Sequence, residues 1–360
     1  MEHGYEFMRD YNPANETDRL TELGEEQMLD LGREFELRYG HLPQKVFIRA
    51  SGSERVIMSA RKFSSGYDES YGDGMKTDDE ENFIIIPERD GFNNTLDHQA
   101  CTAFEQGPAA DLGHSKQKAW LESWVAPITE RLNRDLPGAN LSLIETVYVM
   151  DQCPFNSVVE QDAPPSMFCH MFSSDEWSGY GYYQSLGKWY GHGNGNPLGP
   201  TQGVGYVNEL IARLTGQPVK DHTSTNSTLD TDPKTFPIGR ALYADFSHDN
   251  TMTSIYAALG LYSANEDLPV THMLSPEEAQ GYSAAWTVPF AGRMYVEKMK
   301  CGGEDELVRI LVNDRVIPLQ GCNADKLGRC TLDRFVSSLE FARHGGRWQE
   351  CFAETEARPS

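Results

Sequence analysis

The densest chemistry in the chain lies in Ser247-His248-Asp249-Asn250. These residues close an apolar run, Leu242–Phe246, and precede Met252–Leu261, which reads as a buried helix. A strand, a sharp turn and a helix place polar side chains at the carboxyl edge of a sheet, where α/β proteins hold ligands. An imidazole there can hold an anion, and a protonated carboxyl beside it can hand a proton to a leaving oxygen. The pair suits phosphate chemistry, although a His-Asp dipeptide equally fits an ordinary turn.

A second unit has the same form. The strand Val46–Ala50 leads through Ser51-Gly52-Ser53-Glu54 into a helix carrying Arg55, Val56, Met58 and Phe63. Arg49 and Arg55 flank the turn, and a helix start already favours anions through its dipole and free amides. The Gly-rich stretch Gly191–Pro200 lacks the Gly-Lys-Ser/Thr ending of a phosphate loop and reads as a tight irregular loop before a helix. There is no G-x-S-x-G elbow, no nucleophilic cysteine context and no metal-ligand spacing. No cofactor and no metal are expected.

The elements that carry these residues follow from periodicity. A helix is expected over 19–39, capped at Thr21, and an exposed acidic loop over 67–82. Phe83–Pro87 reads as a buried strand. Residues 115–150 read as helices, with Trp120, Trp124 and Leu132 on one and Leu143–Met150 on the next. The span 151–200 reads as helical with long loops, Gly205–Thr215 as a helix, and 217–238 as a linker-like loop. Strands are expected at Arg293–Met299 and Leu307–Val312, with Asn313-Asp314 turning into a hairpin partner, Arg315–Leu319. A last helix is expected over Leu332–Ala342. Strands interleaved with helices predict an α/β fold. Residues 1–90 and 240–360 would form a sheet domain flanked by helices, and 91–239 a mostly α-helical insertion.

Composition narrows the partners. The chain has 360 residues, 39% of them hydrophobic, and no run approaches a membrane span. A net charge of −23 argues against nucleic acid or an anionic membrane as partner, so a site for a polyanion must be a local basic island. Seven cysteines without a CxxC or Cys/His cluster point to disulfides. Sequons at Asn15, Asn93, Asn140 and Asn226 add to the picture of a secreted glycoprotein. The start, Met1–Tyr5, is charged and aromatic and carries no secretion signal, so a segment ahead of it is expected.

Whole phrases of the chain resemble the fungal phytases of the histidine acid phosphatase family. They are Phe47–Phe63, Asn93–Glu105, Tyr190–Thr215, Ser247–Asn250, Ala285–Tyr295 and Leu311–Cys330, and the likeness runs from Phe7 to Ala353. The resemblance implies a histidine-phosphatase-like sheet domain with a helix-rich second domain. It also implies metal-free, two-step hydrolysis of phosphate monoesters, inositol phosphates such as phytate among them, by a protein that is monomeric at full length. In the family a His in an R-H-G-x-R-x-P motif becomes phosphohistidine. Asp249 resembles the proton donor, His248 a phosphate binder and Arg55 the distal phosphate-binding arginine, with Arg49 the alternative. The resemblance also implies the pairs Cys101–Cys351, Cys153–Cys169 and Cys322–Cys330, which leaves Cys301 a free thiol.

The motif itself does not occur in these 360 residues. The nucleophile, two arginines and an N-terminal sheet strand are therefore expected to lie upstream, and the chain as given is expected to be inactive. Arg343-His344-Gly345-Gly346-Arg347 spells part of the motif but continues as Trp348-Gln349, follows a helix, and resembles the family's C-terminal tail. Two rival readings stand beside the enzyme: a non-catalytic phosphate-ester binder, and a secreted glycoprotein with only an interaction role.

Overall fold

A computed structural model describes residues 4–9, 11, 18–42, 45–69, 82–159, 164–263 and 265–352. Helix α1 (Glu22–Tyr39) begins at Thr21, whose hydroxyl accepts from the Gly24 amide at 3.1 Å. Strand β1 (Phe47–Ser51) is buried at every position, as expected of a central parallel strand covered on both faces. It leads into α2 (Glu54–Asp68), which packs on α1 and shares a core of Leu31, Phe35, Val56 and Phe63 with it. β2 (Phe83–Ile86) and β3 (Tyr243–Phe246) lie parallel to β1, one on each side, in the order β2–β1–β3. Among the described residues β2 pairs with β1 alone, so it is an edge. Its residues are partly open, Ile85 at 43% exposure, which corrects the expectation of a buried strand. The acidic stretch expected as a loop over 67–82 falls mostly outside the described residues. Tyr67 and Asp68 belong to the last turn of α2, with Tyr67 buried.

Among the described residues, 91–239 contains helices and no strand. These are α3 (Thr102–Gln106), α4 (Leu112–Trp124), α5 (Ala126–Asp135), α6 (Leu143–Ser157), α7 (Ser174–Gly191), α8 (Gly199–Gln202), α9 (Val204–Thr215) and α10 (Ser227–Asp230). Trp120 and Leu132, expected on one helix, sit on α4 and α5, because Pro127 starts a new helix. Ser142 and Ser173 open α6 and α7 with capping boxes to Glu145 and Glu176. The helix after β3 is α11 (Asp249–Ala258). It crosses α8 so closely that a Cβ on Gly203 would come 2.5 Å from the Ser254 carbonyl oxygen, so only glycine fits.

Beyond α12 (Ala284–Thr287), a second, antiparallel sheet joins β4 (Met294–Met299), β5 (Leu307–Val312), β6 (Arg315–Val316) and β7 (Cys330–Thr331). Asn313 and Asp314, at φ 47° and 63°, make the turn from β5 to β6, the left-handed pair that a tight hairpin needs. The expected last helix is two, α13 (Leu332–Ser338) and α14 (Glu340–Arg343), broken at Leu339, which leaves the helical region at ψ 34°. The largest core joins α7, α9 and α11 to β5 and α13 through Leu186, Val207, Ile255, Ile310 and Phe335.

The segment read as a linker, 217–238, is instead packed into the fold. Phe236 is buried beneath the guanidinium groups of Arg49 and Arg213, 5.3 and 4.9 Å from its ring centre. Arg49 itself is 2% exposed. It bonds Asp245 at 2.8 Å and Glu209 at 2.7 Å, while Arg213 bonds Asp245 at 2.5 Å. Arg49 is thus committed to a buried ion cluster below the sheet edge, which removes it as an alternative phosphate binder.

Asp230 closes this cluster. Both its carboxyl oxygens are buried without an N–H or O–H partner, and Glu209 is its charged neighbour. Burial, then the charge of Glu209, push its acid up to about 8, because two carboxyl groups sharing a low-dielectric site keep one proton between them. A folded value above the unfolded one, about 3.9, gives stabilisation that is complete below the unfolded value. It is lost as pH rises through the folded value. The melting temperature is therefore expected to fall between mildly acid and mildly alkaline pH. Asp230→Asn, which needs no proton, should flatten that fall and raise the alkaline melting temperature by a few degrees. Calorimetry across the range checks this, and an unchanged slope contradicts it.

Three disulfides join Cys101 to Cys351, Cys153 to Cys169 and Cys322 to Cys330. Cys301, just past β4, is exposed and unpaired. Alkylation without reduction is expected to label one cysteine, on the peptide containing Met299-Lys300-Cys301. A bridged Cys301 would contradict the pairing.

Candidate active site

Three loops meet at the carboxyl edge of the parallel sheet. His248 and Asp249 follow β3, with His248 in extended backbone as the N-cap of α11 and Asp249 as its first residue. The Ser51-Gly52-Ser53 turn follows β1 and places Arg55 in the first turn of α2. Pro87-Glu88 follows β2.

The geometry around His248 is specific. Its Nε2 lies 2.8 Å from Glu88 Oε1, and the imidazole is 14% exposed. Asp249 is half open, its side chain 53% exposed, and it accepts a hydrogen bond from the Lys188 ammonium. Lys188 also donates to Asn250 Oδ1 at 2.6 Å. Burial pushes the Asp249 carboxyl up, but the Lys188 charge and its hydrogen bond outweigh this and hold the group below its ordinary range. Asp249 is therefore held as an anion by Lys188. Arg55 is 46% exposed and lies 3.6 Å from Asp18, so its side chain is about half open to solvent.

Beside this group lies a small cleft of about 110 Å³, lined by Phe104, Glu105, His114, Gln117, Gly187 and His192 among others. The Gly-rich stretch supplies its Gly191-His192 wall, in the turn that precedes α8. Burial, then the charges of His98 and Lys188, lower His192 to about 3, so that it is neutral from mildly acid pH upward. His98 bonds Glu105 at 2.8 Å and is raised: burial opposes the charge, and the Glu105 hydrogen bond outweighs it.

The C-terminal Arg-His-Gly stretch lies apart from these groups. His344 is exposed at the end of α14, with its Nδ1 2.9 Å from the Glu340 carbonyl oxygen. Arg347 is bound to Glu350 at 2.5 Å and to the Pro197 carbonyl at 3.1 Å. These are contacts that tie down a tail. Among the described residues no group of three or more His, Cys, Asp or Glu could hold a metal ion.

Lys188 and Glu88 are the site residues that local sequence reasoning missed. They reach Asp249 and His248 across separations of 61 and 160 residues. No motif marked either. The one available signal was that a site for an anion in so acidic a chain needs cations brought from a distance.

The family model of the histidine phosphatase superfamily (branch 2) matches residues 1–313. The chain belongs to that branch, a family of phosphoric monoester hydrolases with an α/β fold. Within it the chain is a relative of the fungal phytases. It is 52% identical over 358 residues to Phytase A of Aspergillus oryzae, covering 97% of this chain and 76% of that protein. It is 50% identical to Phytase A of Emericella nidulans, with the same coverage. Among solved structures, the phytase from D. castellii superposes with a TM-score of 0.76 at 20% identity, over 97% of this chain and 73% of that one, a likeness of fold.

Proposed function

We propose that the chain is a phytase-type acid phosphatase in which His248, Arg55 and Lys188 bind the phosphate of inositol phosphates and Asp249 protonates the leaving alkoxide. The observation that carries this reading is His248 and Asp249 at the carboxyl edge of the sheet, with a lysine on the acid, in a chain half identical to Phytase A. An arriving phosphate competes with Asp249 for the Lys188 ammonium. Released from that charge, the carboxyl regains affinity for a proton in the step where a proton is needed. Binding thus arms the acid.

The phosphohistidine route needs an imidazole nucleophile backed by arginines. No R-H-G-x-R-x-P occurs in the 360 residues, and His344 is tied into the tail. The reading for this chain alone is therefore binding without turnover. A non-catalytic phosphate-ester binder is the rival, favoured by the same missing motif. The four sequons, the disulfides and the kinship with Phytase A support a secreted protein, and among the described residues no helix is long and apolar enough to cross a membrane.

Titration calorimetry with myo-inositol hexakisphosphate at acid pH tests the site. The chain is expected to bind it. His248→Ala and Lys188→Met should each weaken binding by about tenfold or more, as for loss of a charge-assisted hydrogen bond. Binding that neither substitution weakens would place the ligand elsewhere.

A further inference from the structure

Glu88 stands where the loops after β1, β2 and β3 converge, and nothing in the reaction as described uses it. Its Oε1 lies 2.8 Å from His248 Nε2 and accepts the Ser53 amide at 3.1 Å. The Ser51 hydroxyl also bonds its carboxylate, and Ser51 in turn accepts from Asn94 Nδ2 at 2.9 Å. The contact is built into the backbone. A Cβ on Gly52 would come 2.8 Å from the Glu88 nitrogen, so the turn after β1 closes on Glu88 only because glycine is there. Ser53 caps α2 without using its own side chain. Its amide goes to Glu88 instead, two residues before Arg55.

We propose that Glu88 is a positioning residue of the phosphate site, holding His248 by Nε2 so that Nδ1 meets the phosphate, and fixing through Ser53 the turn that carries Arg55. A carboxylate on one ring nitrogen decides which nitrogen keeps the proton in the neutral ring. The carboxylate is ionised when this matters. Burial pushes it up, but hydrogen bonds from Ser51, His248 and the Ser53 amide outweigh that and hold it below its ordinary range. Asp97, a largely buried carboxyl raised first by burial, also lies close enough to feel both Glu88 and His248. The proposal rests on the phosphate-site reading above.

Inorganic phosphate binding to the full 360-residue chain tests it, with Glu88→Gln, Glu88→Asp and Glu88→Ala, each checked for folding by circular dichroism. Glu88→Gln keeps the shape and loses only the charge, so it carries the test if Glu88→Ala does not fold. The expected result is binding to the wild type that Glu88→Gln weakens by about tenfold or more, with partial recovery in Glu88→Asp. Long-range ¹H–¹⁵N spectra of neutral His248 should show the proton on Nε2 in the wild type. A merely structural role would not set that signature. Wild-type binding that Glu88→Gln leaves unchanged, or a neutral ring protonated on Nδ1, overturns the proposal alone. A wild type that takes up no phosphate overturns the phosphate-site reading, and the proposal with it.

Discussion

Purified as the 360-residue chain, the protein is expected to hydrolyse p-nitrophenyl phosphate at acid pH no faster than buffer. The family's chemistry forms a bond from imidazole nitrogen to phosphorus before water breaks it, and the imidazole needs arginines to take up the developing charge. None of the well-placed histidines offers this. His248 is held by Glu88, His98 by Glu105, and His344 by the carbonyl of Glu340 in its own helix, while His192 is neutral and half-buried. Where a hydrolase has lost its nucleophile, the cost is on the order of 10⁶ in kcat. Release of p-nitrophenol by the purified chain, abolished in His344→Ala, would overturn this and make the C-terminal stretch the nucleophile.

The second large effect concerns the acid. Once the chain is joined to a segment bearing R-H-G-x-R-x-P, Asp249→Asn is expected to lower kcat by about 10²–10⁴-fold, with little change in phosphate affinity. The amide keeps the shape of the carboxyl and can still face Lys188, but it has no proton to give the leaving alkoxide. The loss should be largest for alkyl phosphates such as phytate and small for p-nitrophenyl phosphate, whose phenolate leaves without help. Lys188→Met provides the converse. With the ammonium gone, the Asp249 carboxyl rises towards its ordinary range and stays protonated to higher pH, so the alkaline limb of the rate profile moves up while affinity falls. Equal losses on both substrates for Asp249→Asn would remove Asp249 from the role of proton donor.

The two strand–turn–helix units were legible because each is local. An apolar run, a short polar turn and an apolar helix announce themselves within about twenty residues, and β1 with α2 and β3 with α11 lie where the pattern put them. The hairpin at Asn313-Asp314 was legible for the same reason. What escaped was set by partners far along the chain. Phe83–Ile86 is as apolar as a central strand, yet it is an edge, and which strand lies outermost is not written in its own residues. The polar, proline-bearing 217–238 reads as a linker until Phe236 is seen under two guanidinium groups. Arg49 and Arg55 look alike in sequence. Only the fold shows that one faces two buried carboxylates and the other faces solvent. Lys188 and Glu88 complete the site from α7 and from the loop after β2, and no local pattern carries such contacts.

The central claim is that phosphate is held at the carboxyl edge of β3. Tungstate, a heavy tetrahedral stand-in for phosphate, tests it most directly when soaked into crystals of the chain. The anomalous peak is expected within hydrogen-bond reach of His248 and Lys188, with Asp249 freed from the lysine and Glu88 still on His248 Nε2. A peak at Arg343–Arg347 instead, or none at the sheet edge, would contradict the account.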